Sequence, residues 1–535
     1  LLSTLISAIE PISTMLRSCL LFFLAFILCH SYKILVYNPK FGHSNVNFYG
    51  NVADILVEAG HDVTTLLPQI EPSWGDGTTK SKKIYVPQSE ECKMLTDILL
   101  SDKNDWFGTP ILDVMSIFAA NPYSDRFAAQ CKGTLEQTEL IERLRNERFD
   151  VMIAENFDMC GIGLSHLIQP KALINGAASV PQFWMVPEFG LPKAWSYNPA
   201  PLMSHLDVHS FWSRLMNIFA DVGHYNFFYP SRSLVEKVFK DKYGQDFPSL
   251  TEISSHAAYT IVNSEPLVDF APPTLSRIVY VGGLGAREPK KVDEKLDQIL
   301  NLRPKTVLIS FGSLVIASQL KQDVKNSIVE TVTRFPDVTF IWKYEKPDDD
   351  FAKEAVKTAP HLHLFKWIPQ NDLLADSRLT AFITHAGMGS TQEITIRGKP
   401  GLFIPALGDQ PRNAGAMERS GIGKVFDKRD LTNADKFTAA VKDLLENESY
   451  YINASRIAAM IAKKPFSARE QLIKTVEFAA EFGPSPALRP QSYDMTFVEY
   501  HNLDIIVLFI VLVALQIGAF VTCLRCVRVR KSKIE

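Results

Sequence analysis

The chain has 535 residues, room for two large domains and membrane segments and far more than a disulfide-stapled miniprotein needs. Lys and Arg (56) nearly balance Asp and Glu (59), and a net charge of −3 gives no strong field that would select nucleic acid as a partner. With 46% hydrophobic and 21% charged residues the composition is globular and not disordered.

Near the N-terminus, Met15-Leu16-Arg17 precedes an apolar run from Cys19 to Cys29, the order of a secretory signal and too short to span a membrane. Residues 1–31 are therefore expected to be a signal peptide, with 1–14 an upstream extension if Met15 is the start. Tyr32 to Tyr37 reads as a buried strand. Val46, Tyr49, Val52, Ile55, Leu56 and Ala59 then follow helical spacing, with Ser44 the expected N-cap and Gly60 the stop. Asp62 to Leu67 and Phe149 to Ala154 read as further strands.

Pro181 to Pro230 is rich in aromatics (Phe183, Trp184, Trp195, Phe211, Trp212, Phe227, Phe228) and lacks a clean period. It could line an apolar pocket, lie on a membrane or fill the core, the last being the default. Irregular stretches at Ala271-Pro272-Pro273 and Gly282-Gly283-Leu284-Gly285 mark a hinge, dividing the body into domains 32–277 and 278–500. The alternation resumes with strand Thr306 to Phe311, helix Gln319 to Phe335, and strands Val338 to Tyr344 and Leu379 to Thr384. Helix Thr391 to Gly398, strand Leu402 to Pro405 and a helix near Asn413 to Ser420 follow. Such alternation predicts two facing, Rossmann-like, doubly wound α/β domains.

Ile505 to Leu524 carries no charge over twenty residues, which as a helix crosses a hydrocarbon core of about 30 Å. A transmembrane helix is placed at 501–524. Arg525, Arg528, Arg530, Lys531 and Lys533 make 525–535 a basic cytoplasmic tail, with the body lumenal. The ending Lys531-Ser532-Lys533-Ile534-Glu535 is similar to a dibasic endoplasmic-reticulum return signal. Asn447-Glu448-Ser449 and Asn453-Ala454-Ser455 are glycosylation acceptors compatible with a lumenal body. Cys92, Cys131 and Cys160, odd in number and without metal-ligand spacing, imply neither a zinc site nor a disulfide framework.

Open parallel sheets bind ligands at the carboxyl ends of their strands. There the sequence offers His43, Ser44 and Asn45, then Glu155, then Gly312 and Ser313, then His385, Gly387, Gly389 and Ser390, and last Asp409 and Gln410. Around His385, glycines would let backbone approach a ligand, and a helix starting at Ser390 would offer N–H groups to an anion such as a diphosphate. Ser390 with Glu393 would equally make a capping box. Neither the dinucleotide glycine pattern nor a P-loop is present.

The order and spacing of Trp367-Ile368-Pro369-Gln370, His385, Gly387, Ser390, Glu393, Pro400, Pro405 and Asp409-Gln410 resemble the signature of the UDP-glycosyltransferases. The chain from Lys33 onward resembles the membrane-bound animal UDP-glucuronosyltransferases, nematode ones in particular. The resemblance implies a GT-B fold, with an N-terminal acceptor domain and a C-terminal UDP-sugar domain. It implies Trp367 stacked on uracil, Gln370 on the uridine, and Ser313, His385 and Ser390 on the diphosphate, with the neighbouring glycine Gly387 in the same loop. Glu393 would hold the ribose hydroxyls, and Asp409 with Gln410 the sugar hydroxyls. The co-substrate would be a UDP-sugar, glucuronate foremost, and the acceptor a small lipophilic molecule, as in detoxification. No metal or further cofactor is required, and oligomers with itself or with homologues are compatible.

An inverting transfer needs a base for the acceptor proton, which in the resembling enzymes is a His beside a carboxylate. Counting back from His61 puts Asn45 at that position, with His43 two residues earlier and Glu155 where the partner carboxylate is expected. Three readings follow: His43 reoriented as base; Asn45 positioning acceptors that need little base help, such as amines; or a protein that binds donor as a catalytically impaired partner of active homologues. Arg412 is a bare candidate for pairing with a glucuronate carboxylate, a surface position being its default.

Overall fold

The structure, a computed structural model, describes residues 31–101, 122–181, 185–186, 189–313 and 315–531. The expected signal peptide, Phe183, Trp184 and the last four residues of the tail fall outside them. Residues up to 488 form one compact unit and 489–535 a second.

Short apolar, β-branched runs form two wholly parallel sheets whose inner strands are buried on both faces, as near-continuous hydrophobic strands must be, while the edge strands Lys82–Val86 and Leu362–Phe365 are more exposed. The first contains β1 (Lys33–Tyr37), β2 (Asp62–Pro68), β3 (Lys82–Val86), β4 (Val151–Glu155), β5 (Ala172–Ala177), β6 (Tyr259–Val262) and β7 (Ile278–Tyr280), in the order β3-β2-β1-β4-β5-β6-β7. The second contains β8 (Lys305–Ser310), β9 (Val338–Lys343), β10 (Leu362–Phe365), β11 (Leu379–Thr384), β12 (Gly401–Phe403) and β13 (Gly423–Val425), ordered β10-β9-β8-β11-β12-β13. Strand order reverses between β1 and β4 and again between β8 and β11. These two switch points are where crossover loops part and leave a crevice.

Two boundaries differ from expectation. The divide at 277/278 falls just before β7, which pairs with β6 and so completes the N-terminal sheet. The helix Ala468–Phe482, expected in the C-terminal domain, buries Leu472, Val476, Ala479 and Ala480 against Ile34, Val36, Val63 and Ile174 of the first sheet. Its apolar stripe is what carries the chain back across the hinge. The aromatic stretch without clean periodicity runs into a 33-residue helix, Phe211–Tyr243, which continues through Pro230 and beyond the stretch. Its outer face leaves Trp212 and Phe219 exposed, which blurred the apolar pattern.

Cys131 is disulfide-bonded to Cys160, contrary to the expectation of no disulfide framework. An odd count could not reveal the pair; Cys92 stays buried as a free thiol. In the second unit, Leu503–Lys531 is helical, and its Leu503–Cys526 portion is long and apolar enough to cross a membrane.

Candidate active site

On the N-terminal side, β1 runs into a short turn and then α1 (His43–Glu58). The helix starts one residue before the expected cap. Gly42 occupies the N-cap and no side chain caps it, which frees Ser44 and puts His43, Ser44 and Asn45 in the first turn. Asn45 Nδ2 donates to Glu155 Oε2 at 2.8 Å, and the backbone N–H of Phe157 donates to Glu155 Oε1 at 2.9 Å. Sequence counting and geometry agree that Asn45, not His43, meets the carboxylate at the end of β4. With Nδ2 committed, Asn45 Oδ1 has no hydrogen-bond partner among the described residues and lies beside Gly42.

Glu155 is fully buried, and desolvation pushes its pKa up to about 7 even though Asn45 and the Phe157 N–H oppose the rise. Asp158, also buried, is pushed up to about 8, again chiefly by desolvation, while its Oδ2 accepts from the Tyr37 hydroxyl at 2.7 Å. Asp158 lies three residues past Glu155 and was missed in the sequence; its closeness to a strand-end carboxyl was the available signal.

On the C-terminal side, Gly312-Ser313 follows β8 and His385 follows β11, the strand ends held level by the pairing of Thr384 with Ser310. Gly312 has φ +78°, and a Cβ there would lie 2.5 Å from the His385 ring; at Gly387 it would lie 2.6 Å away. The imidazole is held between two glycines at which an added Cβ would collide with the ring, and at Gly312 the positive φ favours glycine as well. Burial, and then the Lys343 charge, lower its pKa to about 4, so it is a neutral ring at physiological pH.

The following helix, α2 (Met388–Arg397), starts two residues before expectation, with Gly387 as N-cap and no side-chain cap. Ser390 and Glu393 therefore form no capping box. Both are linked to Gln370, whose Nε2 donates to Ser390 Oγ at 3.1 Å and to Glu393 Oε2 at 2.6 Å. Burial pushes Glu393 up to about 7. Beside this trio Trp367 is 60% exposed, an open indole and not a core aromatic. Gln410 Oε1 accepts from the backbone N–H groups of Ala406 (2.8 Å) and Leu407 (3.1 Å), bracing the loop on which Asp409 stands, and Asp409 Oδ2 accepts from Asn413 at 3.0 Å.

Two expectations change. Arg412 is buried, not a surface residue: it pairs with Asp269 at 2.7 Å and bonds Asn198 Oδ1 at 3.0 Å, joining the second domain to loops of the first. An isolated guanidinium could not be buried without such a partner. Lys343 was overlooked because it is the last residue of β9 and not one after it. Its Nζ donates to Gly312 O at 2.6 Å and to Glu345 at 3.2 Å, and sits 5.8 Å from the Trp367 ring centre.

His43 leaves the carboxylate and reaches across the crevice, its ring 5.7 Å from Trp74 and 5.7 Å from Trp367. Burial, then Lys343 and Arg287, hold its pKa below the usual histidine value. The two switch points thus face one another with an amide–carboxylate pair on one wall and an open indole, a glycine-flanked imidazole and a Gln–Ser–Glu cluster on the other.

A family model described as "UDP-glucoronosyl and UDP-glucosyl transferase" matches residues 32–534. The chain belongs to this family. The Caenorhabditis elegans protein ugt-48, whose name assigns it to the UDP-glucuronosyltransferases, is 30% identical over 492 residues, 89% of this chain and 91% of its own. UDP-glucuronosyltransferase 1A7 of Mus musculus is 26% identical over 507 residues, 90% of this chain and 91% of its own. Among solved structures, a kitacinnamycin glycosyltransferase superposes with a TM-score of 0.58 at 16% identity, covering 84% of this chain and 99% of that one. Phytolacca americana UGT2, solved with UDP-2-fluoroglucose and pterostilbene, gives 0.56 at 15% identity over 84% of this chain and all of that one. At that identity the likeness speaks for the fold, which is GT-B: two parallel-sheet, Rossmann-like domains.

Proposed function

We propose that this family member is a UDP-glucuronosyltransferase that moves its sugar, with inversion, onto a small lipophilic acceptor bound against the N-terminal wall. The observation that carries the donor half is the exposed Trp367 next to the Gln370–Ser390–Glu393 cluster and the His385 ring. An indole face suits uracil, and paired amide and carboxyl groups suit ribose hydroxyls. A neutral imidazole, the Ser313 and Ser390 hydroxyls and the start of α2 suit the diphosphate. Asp409 and Gln410 would meet the sugar hydroxyls.

In the reaction the acceptor nucleophile forms a bond to the anomeric carbon as the bond to the UDP oxygen breaks on the opposite face. An amide cannot take up the acceptor proton at neutral pH, but Asn45 Oδ1 can accept a hydrogen bond and orient a nucleophile. Glu155 behind it, when ionised, favours positive charge developing on that nucleophile. The pair therefore suits lipophilic amines, whose nitrogen attacks without first losing a proton, over alcohols. The Cys131–Cys160 bond supports an oxidising, lumenal setting for the body, and the apolar helix followed by Arg525, Arg528 and Arg530 supports single-pass anchoring in the endoplasmic-reticulum membrane.

The test is to incubate detergent-solubilised protein with a panel of UDP-sugars and a mixed pool of lipophilic amines, phenols and alcohols. UDP-glucuronate should be consumed with an amine, and Trp367→Ala should weaken UDP binding roughly 5- to 100-fold, the worth of one stacked base. Unchanged UDP binding by Trp367→Ala would remove the donor reading.

A further inference from the structure

His43 and Trp74 are unassigned by the transfer chemistry, yet both stand in the crevice. Trp74 belongs to the loop between β2 and β3, and that loop is fixed on α1 by backbone contact. Gly77 has φ +71°, and a Cβ on it would lie 2.0 Å from Val46 O; a Cβ on Gly50 of α1 would lie 2.1 Å from the Gly77 carbonyl carbon. Only glycines allow that approach. Asp54 of α1 accepts from the Thr79 and Lys80 backbone N–H groups (2.9 Å each) and Asp76 from Lys83 (3.0 Å) and Tyr85 (2.7 Å). Arg287, from the hinge, donates to Gly77 O (3.0 Å) and Asn51 Oδ1 (3.2 Å), tying the loop to the interdomain connection. Trp74 is thus carried on a braced loop and His43 on the first turn of the helix that braces it.

The His43 ring meets Trp367 edge-on, at 72°, and Trp74 at 59°. A 5.7 Å edge-to-face contact leaves no space for a base between His43 and Trp367, so His43 would act through the indole and not on the nucleotide. Lys343 stands against the same indole.

Resting on the donor reading above, we propose that Trp74 and His43 form a buttress from the N-terminal domain that fixes the orientation of Trp367, making them positioning residues for the UDP-sugar. His43 then serves donor binding instead of proton transfer, and the donor site is complete only when the domains face each other as they do here.

The experiment uses the full chain in detergent and compares His43→Ala, His43→Phe, Trp74→Ala and Trp367→Ala, each checked for wild-type melting. UDP affinity is read by calorimetry, which needs no turnover, and KM and kcat for UDP-glucuronate are read at saturating amine acceptor. The buttress predicts that His43→Ala and Trp74→Ala weaken UDP and raise the donor KM about 3- to 10-fold, the usual worth of an aromatic pair, with kcat within twofold. His43→Phe, which keeps a ring and loses both nitrogens, should restore both constants to within twofold of wild type. If His43→Ala and His43→Phe both cut kcat a hundredfold at unchanged KM, His43 is a base and the buttress is wrong. If His43→Ala leaves UDP affinity and KM untouched while Trp367→Ala weakens them, the buttress alone fails. If Trp367→Ala also leaves UDP affinity unchanged, the donor reading beneath it fails as well.

Discussion

Replacing Asn45 with His puts a titratable ring where the amide now sits. The amide Nδ2 is 2.8 Å from Glu155 Oε2, a contact an imidazole N–H can inherit, leaving its second nitrogen uncommitted by that bond. A positioned base is worth about 10²- to 10⁴-fold, or roughly 3 to 5 kcal/mol at 1.36 kcal/mol per decade. Repacking a larger ring into a half-buried position subtracts from this, so the expected gain is at the lower end. With a lipophilic alcohol or phenol, kcat/KM should rise about 100-fold, whereas a tertiary amine, which has no proton to lose, should change by less than about threefold. The gain should vanish as pH falls below the new imidazole's pKa, and adding Glu155→Gln should remove most of it by taking away the orienting carboxylate. The assay is coupled detection of released UDP across pH 5.5 to 8.5. A variant that gains nothing on alcohols while still binding UDP, or a wild type already as fast on alcohols as on amines, would refute the assignment of Asn45 to the base position.

Gly312→Ala drives a Cβ to 2.5 Å from the His385 ring at φ +78°, so the donor KM should rise at least tenfold and the fold should lose about 1 kcal/mol, read by donor titration and thermal melting. Glu155 and Asp158 hold their protons more tightly folded (about 7 and about 8) than unfolded (4.5 and 3.8), so the folded state binds more protons between those values. Their contribution is therefore complete below about pH 4 and lost as pH rises towards 8; denaturant titrations should show stability falling with pH across that window, and Asp158→Asn should flatten the slope. Cys131→Ser opens a crosslink between residues 29 apart and should cost roughly 3 to 4 kcal/mol, measured as a lowered denaturation midpoint with the free thiols blocked.

The parts of this molecule legible in its sequence are those written locally. Strand ends carrying glycine, serine, histidine and carboxylates could be listed because alternating runs mark where each strand stops, and the structure gathers those of β1, β4, β8 and β11 at two switch points, with the end of β12 beside β11. Asn45 was reached by counting back from His61 on the spacing of the resembling family and Glu155 by where that family carries its carboxylate, and the two meet at 2.8 Å. What escaped was set by contacts between distant segments. The Arg412–Asp269 pair, the Cys131–Cys160 bond and the return of helix Ala468–Phe482 to the first sheet leave no periodic trace, since each needs the fold to exist before the partners are neighbours. His43 belongs to the same class. Its neighbours in sequence offered a base, a displaced base or a bystander, while its neighbours in space are two indoles, one from each domain. A residue two positions from the carboxylate partner on a helix start is turned by about 200°, and that rotation delivers its ring to Trp367 and Asn45's amide to Glu155. On the proposed assignment the same first turn of α1 would serve both substrates, coupling where the nucleotide lies to where the nucleophile can approach.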